Sequence, residues 1–185
     1  MPQNFTDCMI DFETMGPTPD SVVLQMGWCF FNRKDNEKPV GFRRMFCQLE
    51  QKMLGRTVTP STADWWETQD QDLFQRVSSG KDEIEDVLSD FTASWQKHAI
   101  ESTWLWSNGP AFDEPILVSL YNSIEQQTPW KFWNSRCLRT LKATSPFVAG
   151  FRASEAHDAL NDALAQAKTV RAIYQKLDEL KRETN

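Results

Sequence analysis

The first fifty residues contain three short apolar segments separated by turns, and this spacing restricts the fold more than any other feature of the chain. The segments are Cys8–Phe12, Val22–Phe31 and Phe42–Leu49. Apolar runs of this length, bounded by turn signals, predict β-strands. Connections this short join antiparallel neighbours. We therefore expect the chain to begin with an antiparallel meander of three strands.

The remaining residues show helical spacing of apolar side chains, interrupted by a predicted strand at Thr103–Trp106. Trp130–Arg139 fits neither pattern. The predicted helices run from a cap at Ser61 or Thr62 to Glu67, and over Gln71–Val77, Asp82–Lys97, Pro115–Ile124 and Ala156–Leu180. Three strands followed by alternating helix and strand indicate an α/β fold with a mixed sheet and helices on its faces. A length of 185 residues suits one domain over 1–185.

Charge and cysteine usage argue against several classes of protein. A net charge of −6 is unfavourable for coating long nucleic acids, although it permits an enzyme that grips a few nucleotides. No CxxC pair is present, so buried free thiols are expected rather than disulfides or zinc ligands at Cys8, Cys29, Cys47 and Cys137. No basic and apolar leader is visible, and the longest apolar stretch is too short to span a bilayer. We expect a cytoplasmic protein with no membrane partner.

Two carboxylates lie at alternate positions around the end of the first predicted strand. Because strand side chains alternate between faces, Asp11 and Glu13 share the face opposite to Ile10 and Phe12. Two buried carboxylates repel each other unless a proton or a cation neutralises them. Mg²⁺ and Mn²⁺ prefer such oxygen ligands. The pair by itself also fits a solvated strand end, so a metal site needs further ligands.

Three more polar residues lie where helices are predicted to begin. Asp113 follows a strand and a turn, and it fits either a helix N-cap or a ligand at the carboxyl end of a parallel strand. A step of five residues would place His157 and Asp162 on different faces of a regular helix. We therefore expect His157 on the entry loop and Asp162 inside the helix, with both converging on one point. A surface histidine and a solvated carboxylate are the alternative.

The order of these residues resembles the DEDD exonucleases, in the subgroup that carries a histidine. The resemblance covers nearly the whole chain and rests on the blocks Met9–Gly16, Asn108–Leu117 and His157–Asp162. Two further blocks, Ser61–Trp66 and Lys131–Arg136, resemble a phage and prophage branch that includes the exodeoxyribonuclease of T-even bacteriophages. That branch is also similar to a group named for a mycobacterial 3′–5′ exoribonuclease. The resemblance implies an RNase H-like fold, with a mixed five-stranded sheet, its first three strands antiparallel, and helices on both faces.

The resemblance also implies a reaction and a set of catalytic residues. The enzyme would hydrolyse single-stranded nucleic acid from the 3′ end to nucleoside 5′-monophosphates. Four carboxylates would hold two Mg²⁺ or Mn²⁺ ions about 4 Å apart, and these are Asp11, Glu13, Asp113 and Asp162. His157 would take the proton of the attacking water, since imidazole changes charge near neutral pH.

Six further residues are expected to contact the terminal nucleotide, namely Thr14, Met15, Gly16, Trp66, Asn108 and Phe112. A plain turn role for residues 14–16, and a core role for one of Trp65 and Trp66, stay open. Arg139 belongs to a loose basic stretch that fits phosphate contacts or a solvated surface.

Similarity to the T-even phage enzyme favours single-stranded DNA over RNA as the substrate. An RNA 3′ end is the alternative. A catalytically silent module that binds nucleic-acid ends or a protein is the alternative from another class. Relatives often form homodimers, so a homodimer is one expected assembly, and a phage-encoded protein would act in the cytoplasm of its bacterial host.

Overall fold

A computed structural model describes residues 4–184 and shows one mixed sheet of five strands. The strands are β1 (Phe5–Thr14), β2 (Val23–Phe31), β3 (Val40–Met45), β4 (Ala99–Ser107) and β5 (Ser135–Cys137). Their order across the sheet is β3-β2-β1-β4-β5. The β1–β2 and β2–β3 pairs are antiparallel, whereas β4 pairs in parallel with β1 and with β5. The predicted mixed sheet with an antiparallel meander is confirmed.

Helices cover both faces of this sheet. They are α1 (Gln48–Met53), α2 (Pro60–Glu67), α3 (Gln71–Ser78), α4 (Ile84–His98), α5 (Asp113–Ser123), α6 (Leu138–Ala143) and α7 (Ala159–Glu183). α4 and α5 pack against one face through apolar side chains such as Phe91 and Ile116. α7 packs against the other face through Ala163 and Val170. A smaller cluster joins α2 and α3 to the chain around β2. Helices on both faces of the sheet were predicted and are confirmed.

The central strand β1 determines which helix its carboxylates meet. Ile10 and Phe12 belong to the core beneath α4 and α5, whereas Met9 belongs to the core beneath α7. Because side chains alternate along a strand, Asp11 and Glu13 lie on the α7 face. Their end of β1 runs beside the end of the parallel strand β4, since Met9 pairs with Trp106.

The third strand ends earlier than the sequence predicted. Phe42–Leu49 was predicted as β3, but the strand ends at Met45 and Gln48 begins α1. The buried side chain of Gln51 explains the change, because its amide satisfies both backbone groups of Val23, with N···O distances of 2.8 and 2.7 Å. These tertiary bonds replace the strand pairing that the apolar pattern predicted.

Four predicted helix starts also differ from the structure: α4 begins at Ile84 rather than Asp82, α5 begins at Asp113 rather than Pro115, and the starts of α2 and α7 have identifiable causes. Thr59, not Ser61 or Thr62, is the N-cap of α2, and Pro60 occupies the first turn, where its missing N–H costs no hydrogen bond. The last helix begins at Ala159 rather than Ala156, because His157 has a left-handed φ of 63° that a right-handed helix cannot include. The segment that fitted neither pattern contains a 3₁₀ turn (Phe132–Asn134), all of β5 and the start of α6.

The cysteines are free thiols, as predicted. Cys8 and Cys29 are buried, but Cys47 and Cys137 are partly exposed, so the prediction that all four are buried is wrong. Within residues 4–184, no helix is long and apolar enough to cross a membrane.

Candidate active site

Three carboxylates from two distant parts of the chain meet at one end of the sheet. Asp11 and Glu13 come from β1, and Asp162 comes from the first turn of α7. One oxygen atom from each of these side chains lies within 4.8 Å of the others. Asp113, the first residue of α5, is only 3% exposed and lies deeper, close enough to Asp11 for their charges to interact. The structure therefore brings together all four carboxylates that the sequence singled out.

Gly27 allows α7 to approach the sheet beside these carboxylates. Gly27 pairs with Asp11 across β1 and β2. A Cβ atom at Gly27 would lie 2.2 Å from the carbonyl carbon of Ala159, the first residue of α7. Only glycine permits this contact between backbones, which sets how far Asp162 lies from β1.

Polar side chains hold the start of α7 in place. Asp158 is its N-cap and accepts a hydrogen bond from the backbone N–H of Asn161 at 3.1 Å. Arg43 on β3 forms an ion pair with the same carboxylate. Gln25 on β2 accepts a hydrogen bond from the backbone N–H of Ala159 at 2.6 Å. These contacts fix α7 to two strands, so Asp162 is held by tertiary structure as well as by its helix.

His157 lies on the loop before α7 and Asp162 inside the helix, in the arrangement expected from their spacing. The backbone N–H of His157 donates to Oδ2 of Asp162 at 2.9 Å. The imidazole meets the ring of Trp65 nearly at right angles, with the ring centres 4.9 Å apart. His157, Asp162 and Trp65 all face one open cavity of about 430 Å³.

The cavity combines carboxylates, an amide and aromatic rings. It is lined by Asp11, Phe12, Glu13, Thr14, Gly16, Pro17, Thr62, Trp65, Trp66, Asn108, Phe112, His157, Asp162 and Gln166. Five of the six residues expected to contact a nucleotide are among them. Met15 is the exception, because its side chain packs with Val22 and Leu24 in the core. The register of β1 against β2 shifts between Glu13 and Thr14, so the alternation that puts Asp11 and Glu13 on the cavity side does not continue to Met15.

The two neighbouring tryptophans have different environments. Trp66 borders the cavity but is only 1% exposed, and its indole N–H donates to the carbonyl of Thr14 at 2.9 Å. Trp65 is 39% exposed and presents ring surface at the cavity rim. Trp66 is therefore the core member of the pair and supports the turn after β1, whereas Trp65 has ring surface exposed at the cavity.

Burial and mutual repulsion raise the pKa values of the carboxylates. Desolvation, followed by the charges of Asp113, Glu13 and Asp162, holds the pKa of Asp11 well above its usual range. Desolvation and the neighbouring carboxylates raise the pKa of Glu13 to about 8. Burial also raises the pKa of Asp162. An arrangement of this kind is relieved by a proton or by a divalent cation.

Asp113 is affected differently by its surroundings. Burial raises its pKa to about 7, although hydrogen bonds from backbone groups of Phe12 and Asn108 and the charge of Arg139 oppose the rise. Arg139 also donates from Nε to the carbonyl of Asn108 at 3.2 Å. Arg139 thus stabilises the turn that precedes Asp113. The N-cap alternative for Asp113 does not apply, because the N-cap of α5 is Phe112.

Several residues that shape this site were not found from the sequence. Gln166 donates to Asp11, Asp158 and Gln25 anchor the start of α7, and Arg43 pairs with Asp158. Gln166 had a usable signal, because it follows Asp162 by four residues and so lies on the same face of a helix. The other three act through contacts between distant segments, which periodicity does not reveal.

The raised pKa values predict how stability depends on pH when no metal is bound. The folded carboxylates hold protons to a higher pH than those of the unfolded chain, so the free energy of unfolding should fall as pH rises from about 4 to about 8. We expect the melting temperature in chelator to drop by about 5 °C or more over this range, given about 2–4 °C per kcal/mol for a domain of this size.

Saturating Mg²⁺ should largely remove this drop, because the cation replaces the protons. Thermal unfolding followed by circular dichroism, with and without Mg²⁺ at each pH, measures both effects. A melting temperature in chelator that rises steadily over the same range would contradict the proposed repulsion.

Comparison with known proteins identifies the family. The model of the 3′-5′ exoribonuclease Rv2179c-like domain matches residues 6–174. The chain belongs to this family. The activity in the family's name agrees with the 3′–5′ exonuclease that the sequence predicted. No curated protein matches the chain significantly.

Solved structures of exonuclease I show the same fold. Exonuclease I of E. coli, in a zinc-bound complex with single-stranded DNA, is 13% identical with a TM-score of 0.66 and covers 98% of this chain and 43% of its own. Exonuclease I of Methylocaldum szegediense is 14% identical with a TM-score of 0.63 and covers 94% of this chain and 41% of its own. The chain thus spans about two fifths of these proteins. The predicted RNase H-like fold is confirmed, and so is the histidine-bearing DEDD family; the phage branch stays a prediction.

Proposed function

We propose that this exonuclease removes nucleotides one at a time from the 3′ end of single-stranded nucleic acid and releases nucleoside 5′-monophosphates. The observation that carries the proposal is the group formed by Asp11, Glu13 and Asp162, whose oxygens lie within 4.8 Å of one another in an open cavity that His157 also lines. Clustered carboxylates, a histidine and a cavity with an aromatic rim are the parts that phosphodiester hydrolysis requires.

The carboxylates fit a divalent cation that prefers oxygen ligands. Asp11, Glu13 and Asp162 offer three carboxylate groups, and the deeper Asp113 adds a fourth beside Asp11. Mg²⁺ or Mn²⁺ matches this set better than a metal that prefers sulfur or nitrogen. We propose two such ions in the site. When bound, they would supply a Lewis acid for the scissile phosphate and its reacting oxygens.

His157 is the proposed general base. A neutral imidazole can accept the proton of the attacking water, which makes that water a better nucleophile. The hydrogen bond from its backbone N–H to Asp162 and the edge contact with Trp65 hold the side chain at the cavity wall. His157 thus lies beside the carboxylates, with a ring position that its neighbours fix.

The rim of the cavity suits the terminal nucleotide of a single strand. The exposed ring of Trp65 can stack on a base, and such contacts tolerate any base because every base has a π-face. Thr14 and Gly16 also line the cavity, at the end of β1 and in the turn after it, where the Thr14 hydroxyl donates to the carbonyl of Gly16 at 2.7 Å. We propose that this turn, with Asn108 and Phe112, borders the sugar and phosphate.

Two comparisons point to different sugars in the substrate, ribose and deoxyribose. The family description names an exoribonuclease, which favours RNA. Exonuclease I, which has the same fold, has been solved with single-stranded DNA, which agrees with the preference for DNA expected from the sequence. A contact with the 2′-hydroxyl would separate the two substrates.

A cleavage assay with matched oligonucleotides tests the proposal. DNA and RNA strands of one sequence, labelled at the 5′ end, should each be tested with Mg²⁺, with Mn²⁺ and with excess chelator. We expect a ladder that shortens from the 3′ end with metal and no cleavage with chelator, and the faster strand identifies the preferred sugar. Immediate release of labelled mononucleotide would indicate attack from the 5′ end, and full activity in chelator would exclude the metal site. The Asp11→Asn variant, purified in parallel, controls for contaminating nucleases.

A further inference from the structure

Gln166 is the side chain that donates a hydrogen bond to the central carboxylate of the site. It lies one turn after Asp162 on α7 and lines the same cavity. Its Nε2 atom donates to Oδ1 of Asp11 at 2.6 Å. The charges that act on Asp11 come from the carboxylates Asp113, Glu13 and Asp162, which repel it. Gln166 is therefore the favourable polar neighbour that this carboxylate has at the site.

The other end of the Gln166 amide has an unused acceptor. Its Oε1 atom is buried and has no hydrogen-bond donor among residues 4–184. A buried acceptor without a donor is unfavourable, so such an atom in a native structure calls for a missing partner. Rotating the amide would not help, because Oε1 would then face Oδ1 of Asp11 and two acceptors would meet.

The position of this orphaned oxygen suggests its partner. Gln166 lines a cavity whose carboxylates suit a divalent cation, and such cations, Mg²⁺ above all, keep several waters when they bind to proteins. A water that hydrates a cation is a strong hydrogen-bond donor, because the positive charge polarises its O–H groups. A water of this kind would be a suitable donor for Oε1.

We propose that Gln166 is a positioning residue that tunes the metal affinity of the site through both ends of its amide. Through Nε2 it holds Oδ1 of Asp11, which fixes the orientation of the carboxylate and leaves the second oxygen for a cation. Through Oε1 it accepts from a water that hydrates the cation. The inference rests on the proposed metal site, but it assigns to Gln166 a role that the proposed reaction does not require.

If Gln166 had a purely structural role, its hydrogen bond to Asp11 would only hold α7 against β1. The packing of Gly27 against Ala159, the bond from Gln25 and the Asp158 cap already fix this end of α7. In that case, losing the hydrogen bond would lower the stability of the metal-free protein and leave the intrinsic metal affinity unchanged. The two roles therefore differ in a measurable quantity.

Isothermal titration of the full chain with Mn²⁺ tests the inference. Gln166→Met keeps the length and volume of the side chain but neither donates nor accepts in this way. We expect it to bind Mn²⁺ about 10- to 100-fold more weakly than the parent, the usual effect of losing a residue that orients a metal ligand. Gln175→Met is the matched control, because Gln175 is exposed on the same helix and contacts Asn36 away from the cavity. It should bind Mn²⁺ as the parent does.

A second variant separates the amide group from its position. Gln166→Asn keeps both polar atoms but withdraws them by one methylene, and it should lose affinity as Gln166→Met does. This variant also decides the matter if Gln166→Met fails to fold. Parental affinity in either folded variant, or an equal loss in Gln175→Met, would overturn the inference. A parent chain that does not bind Mn²⁺ would instead overturn the proposed metal site itself.

Discussion

Replacing Asp11 with asparagine is expected to abolish turnover without unfolding the protein. Asp11 lies between the other three carboxylates, and the substitution keeps its shape while removing the charge that attracts a cation. A Lewis acid contributes several kcal/mol to transition-state stabilisation, and about 1.4 kcal/mol corresponds to a factor of ten in rate. We therefore expect the single-turnover rate at fixed Mg²⁺ to fall by about 10³-fold or more.

The same substitution should leave the metal-free protein as stable as the parent or more stable. Desolvation and three neighbouring carboxylates make the ionised form of Asp11 unfavourable, and an amide avoids both costs. Thermal unfolding in chelator at about pH 8, where the repulsion is largest, measures this. Asp86→Asn provides the control, since Asp86 is an exposed carboxylate on α4, on the other face of the sheet. An Asp11→Asn variant with a near-parental rate would remove Asp11 from the metal site.

Replacing His157 is expected to slow cleavage by about 10²–10⁴-fold, the usual contribution of a positioned general base. Metal affinity should stay close to that of the parent, because His157 is not a proposed ligand. The variant loses the group that would accept the proton of the attacking water, while the four carboxylates remain.

The backbone of His157 decides which substitutions to compare. Its φ of 63° lies in the left-handed region, where alanine is strained and asparagine is better tolerated. His157→Ala could therefore lose activity because the loop shifts, whereas His157→Asn keeps the loop and still lacks a base. Single-turnover rates against pH, with Mn²⁺ affinity measured in parallel, should show the same defect in both variants. If His157→Asn cleaves at the parental rate, or if both variants fail because they no longer bind metal, the base role is wrong.

The sequence predicted those parts of the fold and site that depend on local pattern. Alternation along β1 placed Asp11 and Glu13 on one face, and the five-residue step from His157 to Asp162 implied a loop before the helix. Both arrangements are present, because strand geometry and the left-handed residue are local properties of the chain.

The parts that the sequence did not predict depend on contacts between distant segments. α1 was taken for the end of a strand, because the bonds from Gln51 to Val23 have no periodic signature. Trp65 and Trp66 are adjacent in sequence, and only the hydrogen bond to Thr14 identifies Trp66 as the buried one. Gln166 contributes to the site through its hydrogen bond to Asp11, which lies more than 150 residues earlier in the chain.

The contact between Gly27 and Ala159 makes the spacing of the carboxylates depend on the main chain, and the α2 wall of the cavity lies outside this constraint. Main-chain atoms set the spacing between β1 and α7. A side chain at position 27 would therefore push the start of α7, and with it Asp162, away from Asp11 and Glu13. The Trp65 and Thr62 wall belongs to α2, which joins the rest of the domain through a separate small cluster. Exchanges in that wall leave the spacing of the four carboxylates unchanged, although an exchange of Trp65 also removes its contact with the His157 ring. Changes on α2 can therefore reshape one wall of the cavity without moving the carboxylates.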